Sequence, residues 1–156
     1  MSISFIPTPV GNLQLTVDDQ SIIEFKFTDS FSSKAEFELS PFEKEVHDQI
    51  NAYLRKDLTQ FSLQLNPKGT EFQKKIWNLL QNIPFGKTIS YQELAENYGD
   101  ILAIRAIASA NGKNPIAILI PCHRVIGKNG SLTGYAGGLE RKKWLLELES
   151  NELTLF

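Results

Sequence analysis

At 156 residues and 42% hydrophobic content, the chain is long enough to bury a core, as one domain or two small ones. Its apolar runs are only a few residues long, which excludes a membrane-spanning helix, and the opening MSISFIPTPVG lacks the basic start and apolar stretch of a secretory signal. The net charge of −2 divides unevenly: residues 1–69 carry 6 Lys+Arg against 10 Asp+Glu, and residues 70–149 carry 10 against 7, so a nucleic-acid surface, if there is one, is expected on the second half.

The first half reads as strands and then a helix. ISFIPTPVG, LQLTVDD and SIIEFKFT are β-branched or aromatic runs broken by Gly, Asn and Asp, the pattern of a small antiparallel meander. PFEKEVHDQINAYLRKD predicts a helix opening at Pro41, with Val46, Ile50, Tyr53 and Leu54 on one face and His47 on the surface. FSLQL reads as one more strand. The turn residues of Asn66–Gly69 mark the boundary between domains 1–68 and 69–156.

The second half reads as mainly helical. TEFQKKIWNLLQNI places Phe72, Ile76, Leu79 and Leu80 on one stripe, with Thr70 as the cap and Trp77 in the core. SYQELAENYG opens with Ser90 and Glu93 at capping-box spacing and closes on Gly99. DILAIRAIASANGKN starts another helix near Asp100, so two helices meet across about two residues, a helix-turn-helix arrangement. At about 100° per residue, Ile101, Ile104 and Ile107 fall inward, and Arg105, Ala106, Ser109, Ala110 and Lys113 fall outward. A small-residue face of this kind serves either tight helix packing or close approach to a nucleic-acid groove; an arginine in its middle suits the groove.

VIGKNGSLTGY predicts a hairpin around Asn129-Gly130. LERKKWLLELE predicts a last helix whose inward stripe is Trp144, Leu145 and Leu148, with Trp144 in the core. Glu149 lies about 40° from Leu145, on the margin of that stripe.

The chain's one cysteine, Cys122, lies in ILIPCHRVIG. One cysteine forms no intramolecular disulfide, and one cysteine with two histidines makes a poor zinc site, so neither a metal nor a disulfide is expected, and a reducing cytoplasm fits best. A lone cysteine is usually a small buried hydrophobe. Here Pro121 stiffens the backbone before it, His123 offers a base near neutral pH, and Arg124 either favours thiolate or makes a structural salt bridge. Adjacent side chains seldom bond directly, so a bridging water is expected between Cys122 and His123. Glu149 is placed either to hold the second imidazole nitrogen or to lie solvated at the helix end.

IPCHRV at 120–125, with GTEFQKKIWNLLQNIPFGKTISYQELA before it and GYAGGLERKKWLLELE after it, resembles the O6-alkylguanine-DNA alkyltransferases, over residues 69–149. Residues 1–68 resemble that family's variable N-terminal α/β domain of RNase H-like form. The implied fold is α+β, with a small antiparallel sheet followed by a mainly helical domain. The implied reaction is direct reversal: minor-groove binding of duplex DNA, flipping of an alkylated guanine, and irreversible transfer of the alkyl group to Cys122, from guanine O6 and also thymine O4, without a cofactor.

The resemblance also implies roles for individual residues. His123 acts through water as base and Glu149 orients it. Arg105, with Ala106, Ser109 and Lys113 around it, fills the gap left by the flipped base, and extrusion carries a cost of a few kcal/mol. Tyr91 helps rotate the target phosphate and protonates the departing base, and Asn114 braces the cysteine turn. Val125 and the Tyr135–Gly138 loop, with Ala136 facing O6, read the base, and Lys142 lies beside the pocket. Thr133 stands where many relatives have glycine, so a bulkier wall is expected to restrict large adducts. Cys122 stands where the family's noncatalytic sensors carry tryptophan. A thioether does not hydrolyse as a thioester does, so the implied protein works once; a monomer is expected.

Overall fold

The computed structural model describes residues 1–150, and the last six residues of the expected second domain lie outside the described residues. Three strands, β1 (Ser2–Thr8), β2 (Gly11–Asp18) and β3 (Ser21–Thr28), form an antiparallel sheet in the order β1-β2-β3, as the three β-rich runs predict. Asp19 and Gln20 close the β2–β3 turn, both with φ positive, at 47° and 63°, a backbone that matches the twist of paired strands. Alternation along β2 buries Leu13 and Leu15, until a bulge at Thr16/Val17 breaks the period.

α1 (Pro41–Leu54) is fixed at its start by a capping box: Ser40 accepts from the Glu43 amide, and the Glu43 side chain accepts from the Ser40 amide. Val46, Ile50 and Tyr53 are fully buried. His47 departs from expectation: it is half-buried, with Nε2 2.8 Å from the Ser4 hydroxyl of β1. FSLQL does not become a strand. Leu65 alone bridges Ile22, in parallel, through the Ile22 amide on the Gln64 carbonyl and the Asn66 amide on the Ile22 carbonyl, while the Ser62 amide donates to the Gln49 side chain of α1 instead of to a strand.

The chain divides into two compact units, Met1–Pro67 and the chain from Lys68 onward. In the second unit, α2 (Glu71–Leu80) is capped by Thr70 with Gln73 and buries Ile76, Trp77 and Leu80. The short strand β4 (Ile89–Ser90) leads into α3 (Tyr91–Tyr98), where Ser90 and Glu93 make the expected capping box. Gly99 ends α3 at φ 101°, a left-handed conformation that suits glycine, and Asp100 at once caps the next helical segment by accepting from the Leu102 amide. A single 3₁₀ turn, Ile101–Ala103, runs into α4 (Ile104–Gly112), giving the helix-turn-helix.

Two positions on that segment differ from expectation. Ile101 is 46% exposed, because it stands at the very start, ahead of the stripe that packs on α2 and α3. Ala110 is buried, since the Trp77 indole lies against it and donates from Nε1 to its carbonyl at 2.9 Å. Arg105, Ala106, Ser109 and Lys113 are exposed together.

The expected hairpin is absent. Asn129 and Gly130 do adopt positive φ, 62° and 79°, as the Asn-Gly signal requires, but the flanking residues do not pair as a ladder. Instead β5 (Val125–Ile126) pairs in parallel with β4, Ile89 facing Val125. The turn itself closes tightly, with the Gly127 amide on the Ser131 carbonyl at 2.7 Å and a 3₁₀ turn over Lys128–Gly130, and goes no further as a ladder. α5 (Leu139–Glu149) buries Lys142, Leu145, Leu146 and Glu149, a face rotated by roughly 100° from the expected stripe. Trp144 and Leu148 are only half-buried, and Glu149 points inward rather than along the margin.

Candidate active site

The segment before Cys122 is buried and tightly wound. Ile116, Ile118 and Ile120 are at most 1% exposed. Ile118 has φ 70°, a conformation that costs a β-branched residue about 1–3 kcal/mol, held by the Leu119 amide on the Ala117 carbonyl and the Ile120 amide on the Ile116 carbonyl. Pro121, at φ −80° and ψ 63°, then forms an inverse γ-turn, with the Cys122 amide donating to the Ile120 carbonyl at 2.8 Å. Asn114 clamps both ends of this loop: Nδ2 donates to the Ile120 carbonyl at 2.7 Å, and Oδ1 accepts from the Ile116 amide at 2.9 Å. Cys122–Arg124 is one 3₁₀ turn, so Cys122 sits at a turn and not within a strand.

Two side chains of that turn meet a third from the end of α5. His123 Nε2 lies 2.8 Å from Glu149 Oε2. Arg124 forks onto the same carboxylate, Nε to Oε1 at 2.8 Å and Nη2 to Oε2 at 3.0 Å, while Nη1 donates to the Ile83 carbonyl at 2.6 Å. Its guanidinium also lies 5.9 Å from the Phe85 ring centre. Burial alone would raise the Glu149 pKa; the charges and hydrogen bonds of His123 and Arg124 win and bring it to about 2. A carboxylate oxygen only accepts, so Nε2 carries a proton in this pair, and in the neutral ring the lone pair is on Nδ1. Nδ1 is buried and has no protein partner among the described residues.

Arg124 is therefore the salt-bridge residue rather than the activator of the thiol. Burial pushes the Cys122 thiol up, opposed by the Asn114 amide, the Lys142 charge and the cysteine's own backbone bond. The buried sulfur thus favours the thiol form, so ionisation has to be assisted when it reacts. Lys142 is fully buried on α5 and donates from Nζ to the Val125 and Thr133 carbonyls, both at 2.7 Å. Burial draws its ammonium down to about 8, with the Cys122 charge pulling the other way.

Tyr91, the first residue of α3, is half-buried, and the Thr133 hydroxyl lies 3.5 Å from its phenol oxygen. The Tyr135 hydroxyl is buried without a protein partner among the described residues, and burial drives its pKa well up. Ala136 is exposed, in the turn closed by the Gly138 amide on the Tyr135 carbonyl. Thus Asn114 binds the loop before Cys122, Glu149 binds His123 and Arg124 of the turn, and Lys142 binds Val125 just after it, while Arg105, Ala106, Ser109 and Lys113 form a separate exposed face on α4. Asn111 bridges the two: it sits on the inner side of α4 and its Nδ2 lies 3.5 Å from the Cys122 carbonyl. Sequence reasoning passed over Asn111, although a polar residue four places after the inward Ile107 was a readable signal. A groove of about 560 Å³ lined by Lys75, Asn78, Asn82, Asn97, Tyr98 and Asp100 includes none of these residues.

Comparison with known proteins identifies the family and the fold. Residues 71–151 match the DNA binding domain, and residues 1–67 the ribonuclease-like domain, of 6-O-methylguanine DNA methyltransferase. The methylated-DNA–protein-cysteine methyltransferase of Methanosarcina acetivorans is 42% identical over 97% of this chain and 99% of its own length. The crystal structure of Mycobacterium tuberculosis O6-methylguanine methyltransferase superposes with a TM-score of 0.83 at 39% identity, covering 99% of this chain and 95% of that one. The same relative in complex with DNA superposes equally, at 0.83, with 42% identity over 94% of this chain and 91% of that one. This chain belongs to the methylated-DNA–protein-cysteine methyltransferase family.

Proposed function

We propose that this protein repairs alkylated duplex DNA by moving the alkyl group from guanine O6, and from thymine O4, onto Cys122 once and irreversibly. The observation that carries the reading is the His123–Glu149 pair behind the single cysteine, with Nδ1 left as a buried base. The exposed α4 face with Arg105, Ala106, Ser109 and Lys113 enters the minor groove, and Arg105 occupies the gap left by the extruded nucleotide. Asn111 and Asn114 tie that helix and the turn after it to the cysteine loop.

In the reaction, His123 Nδ1 takes the Cys122 proton through one water as the sulfur attacks the alkyl carbon. The S–C bond forms while the O–C bond breaks, and the bond pair leaves on the base. Tyr91 returns a proton to the departing purine. Asn114 and Lys142 lower the cost of thiolate at the moment it is needed. Val125 and the loop of Tyr135 and Ala136 hold the base edge, and Thr133 narrows the wall for bulky adducts. The thioether product has no nucleophile or cofactor to reverse it. The chain acts as a monomer in the cytoplasm, its second domain carrying the chemistry. Among the described residues no helix is long and apolar enough to cross a membrane.

The test is intact mass after incubation with methylated duplex: one methylene is gained per chain, on the peptide bearing Cys122. Sustained turnover, or label retained by Cys122→Ala, overturns the reading. Tight binding with no transfer identifies a damage sensor instead.

A further inference from the structure

We propose that Leu102 is an apolar wedge that enters the DNA minor groove beside Arg105 and unstacks the base step next to the extruded nucleotide. The inference rests on the reading of α4 as the DNA-binding helix and adds a residue to it.

Leu102 is 90% exposed, and Ile101 beside it is 46% exposed. Leu102 does not lie on a loose loop. Its amide donates to Asp100 Oδ1 at 3.0 Å, and the Ala103 amide donates to the Asp100 carbonyl at 3.1 Å, so the backbone under the side chain is fixed. The cap therefore presents the leucine outward in a defined direction, which limits the entropy lost when it is covered.

Spacing ties Leu102 to the proposed groove face. Leu102, Arg105, Ala106, Ser109 and Lys113 follow helical spacing, and all are exposed. Residues 101–113 contain no Asp or Glu, and the Asp100 carboxylate at their head is engaged by the cap. The face thus offers one apolar side chain followed by cations and small residues. A DNA groove complements this order: phosphates for Arg105 and Lys113, base and sugar surface for Leu102. Three residues of helix advance about 5 Å, between one and two base steps of 3.4 Å, so Leu102 reaches the step adjoining the Arg105 gap. Unstacking that step lowers the cost of extrusion, because a base with one loosened neighbour leaves the stack more readily.

The experiment uses the full chain and a duplex with one O6-methylguanine flanked by 2-aminopurine, whose fluorescence rises on unstacking. Leu102→Ala and Leu102→Gln are expected to weaken duplex binding by about tenfold. Their slope of log affinity against log salt stays unchanged, since no phosphate contact is lost. The 2-aminopurine signal falls with both, and Leu102→Met restores signal and affinity. Alkylation of Cys122 by free O6-methylguanine and thermal stability stay at their original values, which a structural role for Leu102 would not permit. If Leu102→Ala binds the duplex as tightly as the original protein, or leaves the 2-aminopurine signal intact, the wedge is overturned while the repair reading stands. If the original protein leaves Cys122 unalkylated by methylated duplex, the repair reading falls and the wedge with it.

Discussion

His123 and Glu149, 26 residues apart, meet at 2.8 Å between Nε2 and Oε2, and that contact decides which imidazole nitrogen is the base. Arg124 donates two further hydrogen bonds to the same carboxylate, which hold Glu149 facing the ring. Glu149→Gln keeps the shape but offers an amide N–H to whichever group faces it and leaves Arg124 buried without its counter-charge. The expected outcome is a rate of Cys122 alkylation lower by about 100-fold or more, and stability lower by about 3 kcal/mol or more. Single-turnover transfer from labelled duplex and urea unfolding measure the two. An unchanged transfer rate would exclude the orienting role.

The same carboxylate makes the fold acid-sensitive. Its pKa is about 2 when folded and near 4.5 in an unfolded chain. A carboxylate depressed by folding stabilises the fold fully above the unfolded value, and that contribution disappears as pH falls through the folded one. Between pH 4.5 and 2 the protein therefore loses up to about 3 kcal/mol from this group. Denaturation midpoints measured across this window should slope downward toward acid, and Glu149→Gln should flatten the slope. Equal slopes in both proteins would mean that other carboxylates, Glu43 among them, dominate.

Much of this architecture was readable because helix ends and turns are written in local chemistry. Thr70 with Gln73 and Ser90 with Glu93 both form the caps that their spacing signals, and Gly99 takes the left-handed stop. The face of α5 was not readable in the same way. Its buried positions, Lys142, Leu145, Leu146 and Glu149, follow helical spacing faithfully, yet two of the four are charged, so a search for apolar periodicity selects a rotated face containing Trp144. Those two charges are inward because each has buried partners supplied by remote chain: the Val125 and Thr133 carbonyls for Lys142, and His123 with Arg124 for Glu149. The Asn129-Gly130 turn shows the converse limit, since its backbone obeys the local signal without a paired ladder beyond it.

Lys142 gives a prediction about pH. Its charge opposes the rise that burial imposes on the Cys122 thiol, and its Nζ saturates two carbonyls. Lys142→Met keeps most of the volume but removes both effects. The Cys122 pKa then rises further, and the transfer rate falls near neutral pH and recovers only toward more alkaline pH. Two stranded carbonyls also lower stability, by about 1–3 kcal/mol for each one left unsatisfied. A pH–rate profile of single-turnover alkylation separates the two effects, because loss of stability alone lowers the amplitude without moving the profile. A profile that keeps its position would remove Lys142 from the electrostatics of the thiol.

Gly69 tests how far the cysteine site depends on the helix packing beneath it. A Cβ at Gly69 would lie 2.4 Å from one Trp77 ring carbon and 2.6 Å from another. The indole cannot swing aside freely, because it is almost fully buried and its Nε1 is bonded to the Ala110 carbonyl on α4. Gly69→Ala therefore forces the ring, the turn or α4 to shift, at a cost of about 1–3 kcal/mol. Shifting α4 also loosens Asn111, the residue that reaches from it to the Cys122 carbonyl. The expected result is a lower unfolding midpoint together with a reduced rate on duplex substrate. Melting, followed by transfer assays at a temperature where both proteins are folded, measures both. A variant as stable as the original would show that the turn at Gly69, rather than Trp77 and α4, takes up the strain.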